Sequence, residues 1–124
     1  MVSINSSMPL YSIGVVEDIT GISQRILRLY EEKGVIQPSR TDSNRRLYSL
    51  KDIEKIEYIH YLTHMKKVNL AGVREIFNLL DKLKKSERDK LITGVEKEIQ
   101  SFSEEKKQIF MKGKKEIEQE ILSE

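Results

Sequence analysis

Gln24, Arg25 and Arg28 stand together just after Ser23, and Arg40, Arg45, Arg46 and Tyr48 follow across one short turn. A guanidinium can pair bidentately with guanine, and a glutamine amide with adenine. The same arginines can instead take phosphate oxygens, which hold register without reading sequence. On a helix beginning after Ser23, Gln24 and Arg25 lie near the N-terminus and are expected to read base edges. Arg28 and Tyr30, further along, are expected to meet phosphate. Arg40, Arg45 and Arg46 would reach a neighbouring stretch of the same duplex. Two readings stay open for Tyr48, a DNA-contacting side chain or a core ring whose hydroxyl alone reaches a phosphate.

The charge that would drive such binding is local. From Gln24 to Arg46 six Lys/Arg face three acids, whereas residues 79–124 carry eleven of each sign. The net charge of +2 is therefore a poor guide, and the distribution a better one.

Several elements must hold these side chains in place. Ser12 and Ser23 are N-caps for two short helices, through Ile13, Val16 and Ile19 and through Ile26, Leu27 and Tyr30, separated by Thr20-Gly21-Ile22. This is the smallest helix-turn-helix unit, whose second helix enters the major groove. Pro38 bars further helix, and Asp42-Ser43-Asn44 between short arms predicts a hairpin, or wing, over Arg40 to Tyr48. Ser49 and Asp52 form a variant capping box ahead of a helix through Ile53, Ile56, Ile59, Leu62 and Met65. Asn69 caps another through Leu70, Val73, Phe77 and Leu80, with Gly72 marking a close helix approach.

Beyond Ser86, Ile92, Val95, Ile99, Phe102, Ile109 and Ile117 recur by threes and fours, interrupted by Lys106 and Gly113. This predicts one helix of about 35 residues, about 50 Å long, too polar around its circumference to stand alone. Its economical partner is a second copy, which makes that stripe a dimerisation seam. The expected organisation is an N-terminal arm at 1–10, a winged helix-turn-helix domain at 11–84, and a coiled-coil dimerisation helix and tail at 85–124. The fold class is mainly α with a small β-hairpin wing.

Other chemistry is thinly represented. The chain has no cysteine, which removes disulfides, thiolate metal sites and cysteine nucleophiles. His60 and His64 have a spacing that can hold a metal, but no third ligand stands near them in sequence, and both read as core-edge residues. Glu31-Glu32 and Glu104-Glu105 read as solvated helix faces. With no phosphate-cradling glycine loop and no nucleophile elbow, neither an enzyme nor a cofactor is expected. A membrane span and a leader are likewise not expected, so the chain is placed in the cytoplasm.

Ile26-Leu-Arg-Leu-Tyr-Glu-Glu-Lys-Gly-Val-Ile-Gln-Pro-Ser-Arg, followed by Asn44-Arg-Arg-Leu-Tyr-Ser, resembles the head of the MerR family of bacterial transcription regulators. The resemblance runs from about Leu10 to Leu80. It implies a homodimer joined by an antiparallel C-terminal coiled coil, bound to bent, locally untwisted promoter DNA. The family's DNA-contacting positions fall on Gln24, Arg25, Arg28, Tyr30, Arg46 and Tyr48. Leu27-Arg-Leu-Tyr-Glu, Arg46-Leu-Tyr-Ser and Val68-Asn-Leu-Ala-Gly-Val are similar to the heat-shock repressor branch, whose corepressor is a chaperone. Ser7-Met-Pro-Leu-Tyr-Ser-Ile-Gly is similar to the glutamine-synthetase repressor branch, whose partner is glutamine synthetase. Residues Glu116 to Glu124 depart from that second branch in lacking its arginine-phenylalanine ending. The expected function is a homodimeric, sequence-specific regulator, a repressor on palindromic promoter DNA. The alternatives are a coiled-coil protein-interaction adaptor and a small-molecule-sensing regulator.

Overall fold

A computed structural model gives the fold, describing residues 5–122 and the side chains of residues 5–114. The chain divides into two compact units, one ending at Glu57 and the other beginning at Tyr58.

The first unit opens with a short strand, β1 (Tyr11–Ser12), which runs into α1 (Ile13–Thr20). Ser12 caps α1 by accepting from the Val15 amide at 3.3 Å. Gly21 ends the helix in the left-handed region, at φ 75°, where a side chain would be strained, and its amide donates to the Glu17 carbonyl. Thr20 stiffens the turn: its buried hydroxyl donates to the Val16 carbonyl at 2.7 Å and accepts from the Ile22 amide at 3.1 Å. Ser23 then caps α2 (Gln24–Glu32) through the Ile26 amide. Apolar spacing puts Ile26, Leu27 and Tyr30 inward with Val16, Ile22, Val35 and Ile36, leaving Arg25 and Arg28 on the outer face.

The wing is a hairpin of β2 (Ser39–Arg40) and β3 (Arg46–Tyr48), in which Ser39 faces Leu47 and Arg40 faces Arg46. The strand β1 pairs with the other edge of β3, so the sheet order is β1-β3-β2. Asn44 turns the hairpin at φ 63°, and the Arg45 amide donates to the Thr41 hydroxyl at 3.0 Å. After the wing, α3 (Leu50–His60) starts from a reciprocal box: the Ser49 amide donates to Asp52 Oδ2 at 2.9 Å, and the Asp52 amide to Ser49 Oγ at 3.1 Å.

In the second unit the helix does not run regularly to Met65. It widens into a π-helical turn over Tyr61–Met65, with the Lys66 amide reaching the Tyr61 carbonyl, and Lys67 stops it at φ 57°. The wider turn lets Tyr61, Leu62 and Thr63 all be buried in succession. Next comes α4 (Leu70–Asp81), capped by Asn69 through the Gly72 amide at 2.8 Å.

The expected single C-terminal helix is instead two, α5 (Lys85–Gln100) and α6 (Glu104–Leu122). Ser101, Phe102 and Ser103 make the break. Ser103 starts α6 by accepting the Lys106 amide on its hydroxyl and the Lys107 amide on its carbonyl. Phe102 is buried, edge-on to Phe110 with centroids 5.8 Å apart, and the Lys106 ammonium lies 4.6 Å from its centroid. Phe102, expected on the dimerisation stripe, is thus buried within the chain itself, at the break between the two helices. Among the described residues no helix is long and apolar enough to cross a membrane.

Candidate nucleic-acid interface

The two outward arginines of α2 are differently held. Arg28 Nη2 donates to Gln24 Oε1 at 3.3 Å, and Gln24 reaches back to α1, its Nε2 donating to Glu17 Oε1 at 3.4 Å. Glu17 also accepts from the Gln24 backbone amide. Gln24 is therefore half-buried and tied at both ends of its amide, a brace between α1 and Arg28. Arg25 stays exposed at the start of α2, where a base reader is expected.

Tyr30 and Tyr48 turn inward. Both are fully buried, and neither hydroxyl has a hydrogen-bond partner. Burial raises both phenol pKa values, that of Tyr48 to about 12, with Arg46 opposing and Glu31 adding to the rise. The expectation of a Tyr30 phosphate contact is overturned, because helical spacing puts Tyr30 on the same face as Ile26 and Leu27. Of the two readings of Tyr48, the core ring is the one observed. Two residues earlier in β3, and so on the same face of the strand, Arg46 is half-buried.

Two of the wing arginines, Arg40 and Arg46, converge on Glu31, a residue expected on a solvated helix face. Glu31, in the last turn of α2, accepts Arg40 Nη2 on Oε1 at 2.8 Å and on Oε2 at 3.0 Å. The same Oε1 accepts Arg46 Nε at 2.7 Å. The Glu31 side chain is 14% exposed, so the carboxylate is enclosed by the two guanidiniums rather than solvated. One signal pointed there: Arg40 and Arg46 directly opposed on a hairpin need a counter-ion, since like charges at that register repel. Glu32 does remain exposed. Arg45 is exposed beside the turn.

The expected dimerisation residues are scattered. Ile92, Val95 and Ile99 lie half-buried on α5, Ile109 is 51% exposed on α6, and the Ile117 side chain lies outside the described residues. The histidines pack as core. Their rings stack at 5.3 Å, and His60 Nε2 donates to the Phe110 carbonyl at 3.0 Å. Among the described residues no third ligand joins them.

An N-capped helix pair with a glycine turn, arginines on the outer face of the second helix and a basic hairpin tied to that helix define a winged helix-turn-helix DNA-binding head. The chain belongs to the MerR family: residues 11–80 match the family described as MerR HTH family regulatory protein. It is 37% identical over 94 residues to the HTH-type transcriptional regulator GlnR of Bacillus anthracis, covering 73% of this chain and 72% of GlnR. HspR of Streptomyces coelicolor, described as a heat shock protein, is 35% identical over 71 residues, 57% of this chain and 47% of HspR. The HTH-type transcriptional regulator TnrA of Bacillus subtilis is 44% identical over 45 residues, 36% of this chain and 41% of TnrA. The protein is thus a DNA-binding transcriptional regulator, of a family of regulators rather than enzymes.

Proposed function

We propose that the protein is a homodimeric repressor that binds a palindromic promoter site through Gln24, Arg25 and Arg28 of α2 and Arg40, Arg45 and Arg46 of the wing. The observation that carries this reading is the joining of α2 to the wing through Glu31, which makes the two basic elements one surface. Arg25 reads a base edge, and the other arginines hold phosphates. Gln24 reads adenine only by exchanging its bonds to Glu17 and Arg28 for bonds to the base.

Dimerisation is supported by α5. None of its residues is buried within the chain, although Ile92, Val95 and Ile99 line one stripe and Leu91 is 52% exposed. A helix of this length with nothing buried is marginal in water, and a second copy would cover the stripe. Two heads about a two-fold axis would meet half-sites spaced by about 34 Å or a multiple of it. Similarity to GlnR and HspR supports a protein corepressor, glutamine synthetase or a chaperone.

Purified protein mixed with fragmented genomic DNA of its host at near-physiological salt, followed by sequencing of the retained fraction, tests the reading. Enrichment of an inverted repeat upstream of a small set of genes is the expected result. Retention without sequence preference would remove the regulator's reading role, and sedimentation as a monomer at micromolar concentration would remove the dimer.

A further inference from the structure

We propose that Glu31 is a positioning residue for DNA recognition, one that aims the guanidiniums of Arg40 and Arg46 and so sharpens the choice between the cognate site and random DNA. This rests on the reading of α2 and the wing as the DNA-binding surface.

A carboxylate is an odd neighbour for a phosphate backbone. Placed on a surface that binds DNA, it repels every duplex alike, so a chain selected for general affinity gains nothing from it. Glu31 nevertheless sits where α2 meets the wing, with both oxygens engaged at 2.7 to 3.0 Å. The strand register puts Arg40 and Arg46 directly across from each other, a like-charge pair that would splay without an anion between them.

The mode of capture matters. Arg46 is gripped by Nε, so its Nη edge remains for a second anion, the fork geometry that suits a phosphate. Arg40 is gripped by Nη2, and its Nη1 donates to the Asn44 carbonyl at 3.3 Å, which ties the guanidinium to the hairpin turn as well. Free arginine side chains carry large rotamer entropy. Here that freedom is surrendered on folding, so less is lost when DNA arrives. Because Glu31 belongs to α2, it also fixes the distance from the wing arginines to Arg25 and Arg28. Base reading and phosphate gripping then occur in one register.

The test compares wild type with Glu31→Gln, which keeps shape and removes charge. Binding is titrated against the inverted-repeat duplex recovered from genomic selection and against a scrambled duplex of equal length and composition, over a range of salt. Positioning predicts divergence. Affinity for the cognate duplex falls about tenfold while affinity for scrambled DNA holds or rises, with a steeper salt dependence. If both affinities rise together, Glu31 acts only as a repelling charge. If both fall together, or neither moves, it is a structural salt-bridge residue or has no role, and each of these results overturns the proposal. A second measurement places Glu31→Gln in an Arg40→Ala/Arg46→Ala background, where positioning requires that it no longer affects cognate affinity. Should wild type itself fail to distinguish the two duplexes, the DNA-reading function fails first, and the positioning role falls with it.

Discussion

The backbone of Gly113 in α6 lies against the imidazole of His64 in the π-helical turn, so closely that a methyl group on Gly113 would overlap the ring. His64 has little room to yield, because its ring stacks on His60 with an interplanar angle of 7°. A glycine inside a helix normally costs about 1 kcal/mol relative to alanine. Here it is the residue that admits the ring. Gly113→Ala should therefore destabilise the second unit by about 1–2 kcal/mol net, overpacking outweighing the gain in helix propensity. Gly94 in α5 is the control: a methyl there meets nothing within 4 Å. Gly94→Ala should stabilise by about 0.5–1 kcal/mol. Urea unfolding of the two variants should show midpoint shifts of opposite sign; shifts of the same sign would break the account of Gly113.

His60 makes stability depend on pH. It is fully buried, and its Nε2 donates to the Phe110 carbonyl. The ring faces His64 on one side and the Phe110 ring, 4.6 Å away, on another, with the buried Lys114 ammonium 5.1 Å from that phenyl. Burial pulls its pKa down to about 4, against the hydrogen bond to Phe110, and Lys114 and His64 lower it further. The unfolded imidazole titrates near 6.5, so between these values the unfolded state holds the extra proton. The contribution is complete above pH 6.5 and is lost as pH falls through 4, amounting to about 3 kcal/mol in all. Urea midpoints at pH 7.5, 6, 5 and 4 should fall accordingly, and His60→Gln should flatten the curve. An equally steep fall in the variant would assign the acid sensitivity to other groups.

Local signals were the legible part of this fold. Ser12, Ser23, Ser49 and Asn69 all cap where their side chains and the following apolar spacing place them, because capping is decided within three residues. Long-range pairings were less legible. Phe102 fits a heptad stripe and a core equally well, and the difference lies in Phe110, a neighbour that only the break at Ser101–Ser103 brings edge-on. Tyr30 belongs to the inward face by period alone, although its hydroxyl is of a type that can also reach phosphate. Glu31 resembles any surface acid because its partners lie nine and fifteen residues on, across the turn to the wing and beyond the reach of helical spacing, and only the hairpin register hints at them.

The wing turn gives a conformational prediction. Asn44 holds φ 63°, its amide donates to the Thr41 carbonyl at 2.8 Å, and its own carbonyl receives Arg40 Nη1. Asparagine tolerates this left-handed region and glycine prefers it, whereas a β-branched residue is strained there. Asn44→Gly should leave stability within a few tenths of a kcal/mol, and Asn44→Val should cost about 1–2 kcal/mol. Hydrogen exchange at the Thr41 and Arg45 amides should quicken in the valine variant. Unchanged exchange would mean that the turn is set by the strand pairing rather than by residue 44.

On the proposed function, Arg25 and Arg28 divide base reading from phosphate gripping. Arg28 is exposed, and its bond to Gln24 leaves the guanidinium other donors for a phosphate. Arg28→Ala should weaken cognate and random DNA alike and lower the salt slope by about one phosphate contact. Arg25 lies at the first turn, where side chains of a recognition helix reach base edges. Arg25→Ala should cost about 1–3 kcal/mol on the cognate duplex, and most of that loss should vanish on a duplex altered at a single base pair. Titrations against a panel of singly substituted duplexes decide the matter. Equal losses for Arg25→Ala across the whole panel would move that residue from reading to gripping, and the source of sequence choice would then be Gln24 or the deformability of the DNA.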